Sequence, residues 1–143
     1  ELGLKVIHVR HSSTNPDSML HKSNYGFEFN DHVRPISDEL ILTKNVNSAF
    51  IGTGLTEILK KFKIKTIVIV GMTTNHCIST TVRMSGNLGY ETYLISDSTA
   101  CFNTIGQDGE EIDCEIIYNI SIANLKDEFA KIISSKKLFE LLI

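Results

Sequence analysis

Residues 66–70 of this chain, Thr-Ile-Val-Ile-Val, form an unbroken run of β-branched side chains. Such a run favours a strand that is buried on both faces of a sheet, because branched side chains pack well on a pleated surface. A glycine-led turn follows over 71–76, and helical apolar spacing continues from Ile78 to Leu88, where Gly89 is placed to end a helix. The sequence therefore predicts a strand, a turn and a helix, the unit from which parallel sheets are built.

The same alternation of strand and helix patterns extends over the rest of the chain. The predicted strands cover 4–9, 40–43, 66–70, 92–96 and 130–133, and the predicted helices cover 48–62, 78–88, 110–125 and a segment through 142 that Ser134 or Ser135 caps. The helix over 110–125 is expected to place its isoleucines and Ala123 on one face, with residues 103–109 as a loop before it. We therefore expect one α/β domain over residues 1–143, with α/β/α layers around a mostly parallel central sheet.

Composition narrows the function classes. A formal net charge of −3 and a pI near 5.9 give no reason to expect a nucleic acid or an anionic membrane as partner. The three cysteines, Cys77, Cys101 and Cys114, lack CxxC spacing, so neither a disulfide framework nor a thiolate zinc site is indicated. No apolar run reaches the roughly 18 residues that a membrane span needs. We expect a protein of the reducing cytoplasm.

Cys77 follows the predicted strand and its turn, at the start of the predicted helix. A thiol at such a turn lies among backbone N–H groups at the positive end of a helix dipole, which favours the nucleophilic thiolate. The same N–H groups suit the oxyanion of a tetrahedral intermediate. The alternative is that Cys77 is a small buried apolar residue. Its neighbour His76 points elsewhere, because adjacent helical residues do not face each other, so it is expected to line a pocket or a subunit contact.

Residues 69–81 (IVGMTTNHCISTT) and 89–100 (GYETYLISDSTA) follow one another closely, and residues 42–50 upstream (LTKNVNSAF) place a lysine at the end of a short strand. In this order and spacing the segments resemble the isochorismatase-like cysteine hydrolases, which include nicotinamidases and N-carbamoylsarcosine amidase. The similarity runs from Lys5 to about Leu138 and is strongest between Lys44 and Phe102. It implies an isochorismatase-like fold of Rossmann-like topology.

The resemblance also implies a mechanism. Cys77 attacks a small amide, imide or carbamoyl compound to form a thioester-type acyl-enzyme, and Lys44 stabilises the thiolate and supplies a proton to the leaving amine. The backbone N–H groups of Thr73 and Cys77 form the oxyanion hole, and the Met72–Thr73 peptide bond is often cis in the family. We expect no cofactor, a small-molecule substrate, and a homo-oligomer that is a dimer or tetramer.

The third catalytic residue of the family is an aspartate on a first strand, and no segment of this chain matches its motif. Asp17 and Asp31 lie in the long polar stretch from Arg10 to Glu39, and Asp97 is expected to cap backbone N–H groups in the turn that follows it. We therefore expect that the family's first strand is lacking from this sequence and that about 30 residues precede Glu1, an estimate from usual strand and crossover lengths.

The polar stretch 10–39 has no periodicity, and a stretch of that kind inside a compact domain usually belongs to a binding site. The side chains that we expect to bind substrate are Phe27, Phe29, Asn47, Phe50, Thr74 and His76. We expect no metal, since His8 and His11 lack helical ligand spacing and His8 fits a strand better. Two other functions remain open: a non-catalytic scaffold that binds a small ligand, and, ranked last, a thiol redox sensor.

Overall fold

The computed structural model describes residues 3–143. The chain forms two compact units, which divide after Ile58. Among the described residues, no helix combines the length and the apolar character that crossing a bilayer would require.

The first unit is built on a pair of parallel strands, β1 (Ile7–His11) and β2 (Leu40–Lys44). The strands pair from Ile7 opposite Leu40 to His11 opposite Lys44, so their last residues lie side by side. The stretch between them carries two short 3₁₀ turns, Tyr25–Phe27 and Asp31–Val33. Strand β1 begins three residues and ends two residues later than predicted, and β2 ends one residue later than predicted. The parallel pairing is as predicted.

The second unit contains a parallel three-stranded sheet in the order β3 (Thr66–Met72), β4 (Glu91–Ala100) and β7 (Lys131–Ile133). Its helices are α2 (Ser79–Asn87), α3 (Cys114–Leu125) and α4 (Ser135–Leu142), and α1 (Leu55–Lys61) precedes β3. The short strands β5 (Thr104–Ile105) and β6 (Glu111–Ile112) form an antiparallel pair. Parallel strands joined through helices confirm the predicted α/β class.

The core of the second unit joins this sheet to its helices. It consists of buried apolar side chains from β3, the turn after it, α2, β4, and the end of α3 with the loop beyond it: Ile69, Ile78, Val82, Leu94, Leu125 and Ala130. The run 66–70 is therefore a core strand, but it alternates: Ile69 is buried, while Val68 and Val70 are exposed among the described residues. The prediction of burial on both faces holds for one face only.

The pairing of β3 with β4 changes register part-way. Ile69 pairs with Leu94, whereas Gly71 pairs with Thr99, so two steps along β3 correspond to five steps along β4. The intervening segment of β4 carries Asp97, whose carboxylate accepts hydrogen bonds from the Ser135 backbone N–H at 2.8 Å and from the Ser135 hydroxyl at 2.7 Å. Asp97 thus caps α4, across 38 residues of sequence, and not the turn that follows it. Ser134 is the N-cap of α4, as predicted, and accepts from the Lys137 N–H.

Three predicted elements differ from the structure. The helix expected over 48–62 is only α1, since Gly52 and Gly54 have φ values of 70° and 72°, which an α-helix does not allow. The helix expected from residue 110 begins at Cys114, where the Asp113 side chain caps it by accepting from the Glu115 N–H. The expected loop 103–109 contains β5.

The face of α3 that packs inward also differs from the expected one. Ile116 and Ile120 are 53% and 58% exposed, whereas Leu125 is fully buried and Ile122 packs against the core. The isoleucine stripe therefore does not mark the buried face. Leu125 and Ile122 lie about 140–160° around the helix from Ile116 and Ile120, near its opposite side.

Candidate active site

Cys77 lies inside a helical turn rather than at its start. Strand β3 ends at Met72, the Met72–Thr73 peptide bond is cis, and Thr73 is extended. Residues Thr74–Ile78 then form a π-helical turn that runs directly into α2. The sequence placed the helix start at Ile78, four residues late, because the turn carries no apolar periodicity. The Cys77 side chain is half-buried.

The Thr73 carbonyl organises this turn. It accepts hydrogen bonds from the backbone N–H groups of His76 at 3.1 Å and Ile78 at 3.2 Å. The Thr73 hydroxyl and His76 Nδ1 are 3.1 Å apart, so this threonine holds His76 through both its main chain and its side chain. His76 is otherwise exposed, and Ile78 anchors the end of the turn in the core.

Thr74 fastens the turn to the sheet. Its side chain is fully buried, and its hydroxyl lies 2.8 Å from the Thr99 hydroxyl on β4. Thr99 occupies the position opposite Gly71 because of the register change, which brings its hydroxyl to the turn. The Thr74 hydroxyl therefore makes one of its hydrogen bonds to the sheet.

Asn75 adds a polar group that the sequence did not single out. Its Oδ1 atom is buried and has no hydrogen-bond partner among residues 3–143. Buried acceptors of this kind are uncommon, because an unmade hydrogen bond costs about 1–3 kcal/mol. No pattern in the sequence distinguishes Asn75 from an ordinary polar turn residue.

Lys44 is buried at the end of β2 in the first unit, with 4% of its surface exposed. Its Nζ lies 3.0 Å from His11 Nδ1 and donates to the Val46 carbonyl at 3.1 Å. The resemblance indicated Lys44 but not His11, and the signal that was available is positional: both residues lie just past the ends of predicted strands, 4–9 and 40–43. Partial burial, and next the charge of Lys44, hold the pKa of His11 below its usual value, while a hydrogen bond with the Val46 carbonyl acts in the opposite direction.

The two phenylalanines of the polar stretch gather around Arg10. The guanidinium carbon lies 4.0 Å from the ring centre of Phe27 and 5.4 Å from that of Phe29. His8 packs edge-on against Phe29, and its Nε2 lies 2.7 Å from a Glu39 carboxylate oxygen. The His8 ring is thus partnered by Glu39, and no cluster of three metal-ligating side chains is present among residues 3–143.

The predicted site residues therefore fall into two groups. Thr73, Thr74, His76 and Cys77 share one turn of the second unit. Lys44, Phe27, Phe29, Asn47 and Phe50 belong to the first unit, where Asn47 is exposed and Phe50 is half-buried. Arg10, His11 and Asn75 are the residues near these groups that the sequence did not suggest.

The family model described as Isochorismatase domain matches residues 1–137. The chain belongs to the isochorismatase family. It is similar to the isochorismatase family protein YrdC of Bacillus subtilis (strain 168), with 51% identity over 138 residues that cover 96% of this chain and 74% of that protein. A structure assigned as a hydrolase of the family, from Chromobacterium violaceum ATCC 12472, superposes with a TM-score of 0.93 at 34% identity, covering 98% of this chain and 72% of the other.

Nicotinamidase 3 of Arabidopsis thaliana is 33% identical over 101 residues, which cover 71% of this chain and 45% of that protein. These similarities confirm the family resemblance and the isochorismatase-like α/β fold. The chain is therefore an isochorismatase-family hydrolase, in a family with amidase members.

Proposed function

We propose that the protein hydrolyses a small amide, imide or carbamoyl compound with Cys77 as the nucleophile. The observation that carries this proposal is the turn Thr74–Ile78, which holds a half-buried thiol at the junction of a parallel strand and a helix. A thiol among the backbone N–H groups of such a turn is suited to react as the thiolate. The similarity to a nicotinamidase supports an amide as the substrate.

The proposed reaction has two steps. The Cys77 thiolate adds to the substrate carbonyl, and the backbone N–H groups of Thr73 and Cys77 stabilise the oxyanion. The C–N bond then breaks, Lys44 gives a proton to the leaving amine, and a thioester remains. Water adds to the thioester and gives a proton back to Lys44, the C–S bond breaks, and the acid leaves while the thiolate is restored.

We assign substrate binding to Phe27, Phe29, Asn47, Phe50, Thr74 and His76. The aromatic side chains favour a compact, planar or partly apolar molecule, and Arg10 beside Phe27 and Phe29 adds a positive edge to that surface. The reaction needs no cofactor. We place it in the cytoplasm, in a homo-oligomer, and three cysteines without a disulfide among residues 3–143 suit a reducing compartment.

Selective alkylation of Cys77 tests the proposal, and the chain supplies its own controls. Cys101 and Cys114 are half-buried, as Cys77 is, so differences in labelling reflect reactivity more than access. We expect iodoacetamide at pH 6 to label Cys77 of the full-length protein much faster than the other two, as followed by mass spectrometry. Labelling of Cys77 no faster than of Cys101 and Cys114 would favour a non-catalytic scaffold.

Ammonia release from a panel of small amides then tests the chemistry. Cys77→Ser is expected to abolish turnover and to leave the fold intact, since a hydroxyl in this turn is far less acidic than a thiol. Lys44→Met keeps the buried aliphatic stem and removes the charge, so it is expected to lower both turnover and the labelling rate of Cys77. Turnover that survives Cys77→Ser would refute the proposed nucleophile.

A further inference from the structure

His11 and Lys44 are fixed next to each other by the backbone. They are the last register pair of β1 and β2, and residues paired in parallel strands project to the same face. The backbone pairing continues past them, because the Ser12 N–H donates to the Lys44 carbonyl at 2.7 Å. The Asn45 side-chain amide reinforces it by donating to the Ser12 carbonyl at 2.7 Å. The closeness of the two side chains is therefore set by strand pairing.

The contact between them has a defined chemistry. A lysine ammonium has three N–H donors and no acceptor, so a hydrogen bond of 3.0 Å to His11 Nδ1 requires an unprotonated Nδ1. The histidine is then the neutral ring with its proton on Nε2. Lys44 also donates to the Val46 carbonyl, so Nδ1 of His11 is one of the acceptors that hold Nζ.

We propose that His11 is a positioning residue for Lys44, holding its ammonium in place through Nδ1. This inference rests on the proposed function for its catalytic consequence, because Lys44 acts on the thiolate only when its charge is held in one position. The contact between His11 and Lys44 itself is independent of the proposed function.

The same contact makes the position of Lys44 sensitive to pH. A protonated His11 carries a proton on Nδ1, so it could no longer accept from Lys44 and would place two cations side by side. Within the described part of the first unit, the charged group that contacts the His11 ring is Lys44. Arg10 and His8 are at positions of β1 whose side chains alternate to the face opposite His11. Glu39, the partner of His8, precedes β2 and so lies at the opposite end of that strand from Lys44.

Nuclear magnetic resonance of the histidine ring nitrogens tests the contact without reference to activity. In the full-length protein at pH 8 we expect Nδ1 of His11 to be unprotonated and Nε2 to carry the proton. Lys44→Met is expected to raise the pKa of His11, because it removes the neighbouring charge. A proton on Nδ1, or a pKa of His11 that Lys44→Met leaves unchanged, would overturn the proposal.

Variants of His11 test the consequence for Cys77. His11→Asn keeps an acceptor oxygen near the position of Nδ1 but cannot titrate, whereas His11→Phe keeps the ring and removes the acceptor. We expect His11→Phe to slow alkylation of Cys77 at pH 8 by about tenfold, which corresponds to ~1.4 kcal/mol of lost stabilisation. His11→Asn should match wild type at pH 8 and exceed it at acidic pH. The exposed His32 gives the matched control, His32→Phe, which should change neither rate.

The outcomes separate this inference from the proposed function. If Lys44→Met slows alkylation and His11→Phe does not, the positioning role is refuted while the role of Lys44 stands. If the ring nitrogens report the contact but neither variant alters alkylation, His11 does hold Lys44, and the proposed action of Lys44 on the thiolate is wrong.

Discussion

Replacement of Thr74 by valine should reveal what holds the turn that carries Cys77 to the sheet. The change keeps the shape of the side chain and removes a hydroxyl that is fully buried and 2.8 Å from the Thr99 hydroxyl. It leaves Thr99 without that partner, which costs about 1–3 kcal/mol when a partly buried polar group is abandoned. In a domain of this size the loss lowers the melting temperature by about 2–4 °C per kcal/mol.

A double-mutant cycle isolates this hydrogen bond. Thr99→Val should destabilise the protein for the same reason, but the double variant should lose less than the sum, because no hydroxyl remains unpaired. We expect a coupling energy near 1 kcal/mol from urea unfolding. Single effects that add to within about 0.3 kcal/mol would show that the two hydroxyls do not form a bond.

A second buried hydroxyl pair serves as the control. Ser85 on α2 and Thr92 on β4 are also buried, with their hydroxyls 2.6 Å apart, but they lie away from the cysteine turn. Ser85→Ala should destabilise at the low end of the same range, because Thr92 keeps a hydrogen bond to the Tyr90 carbonyl. Only Thr74→Val should alter the labelling rate of Cys77. Equal effects of the two variants on labelling would mean that general loosening, and not the turn, controls the thiol.

Two further variants test other contacts of the second unit. Asp97→Asn should weaken the attachment of α4 at neutral pH. Hydrogen bonds from the Ser135 hydroxyl, and next from the Ser135 N–H, lower the pKa of Asp97. The stabilisation is therefore present above the unfolded pKa and is lost as the pH falls through the folded pKa. Urea midpoints of wild type and variant should therefore differ at pH 7 and converge as the pH falls through the lowered pKa of Asp97. Gly86→Ala should destabilise although alanine favours helices by about 1 kcal/mol, since its Cβ would lie 2.9 Å from the Phe129 carbonyl oxygen. Asn87→Ala, at the exposed neighbouring position, should instead be neutral or stabilising, and a stabilised Gly86→Ala would refute the close approach.

The strand and helix around Cys77 could be predicted because each has a local cause. The β-branched run favours a strand whatever surrounds it, and Gly89 follows α2 as expected. The prediction of a helix over 48–62 was wrong in its first part. The helical spacing of Leu55, Ile58 and Leu59 does not extend back over Gly52 and Gly54, whose backbone conformation an α-helix does not allow. Spacing shows which residues share a face of a helix but not where the helix begins.

The parts of the site that could not be predicted depend on pairing between distant residues. The contact of His11 with Lys44 follows from strand register, and the bond of Thr74 to Thr99 follows from a register change within β4. Neither is encoded in a local pattern, since both residues of each pair look like ordinary polar residues at strand ends or in turns. The buried side of α3 was missed for a related reason: tertiary packing selected Ile122 and Leu125 over the longer isoleucine stripe.

Between Leu94 and Thr99, β4 contains three more residues than the paired segment of β3. This difference in length affects how the turn that carries Cys77 tolerates change. The additional residues lie between Leu94, which is fixed in the core, and Thr99, which reaches Thr74, and Asp97 among them is tied to α4. Deleting one residue there would turn every later side chain of the strand to the opposite face, away from both contacts. The placement of Cys77 thus depends on how many residues separate two points on a neighbouring strand, a quantity that no single substitution alters.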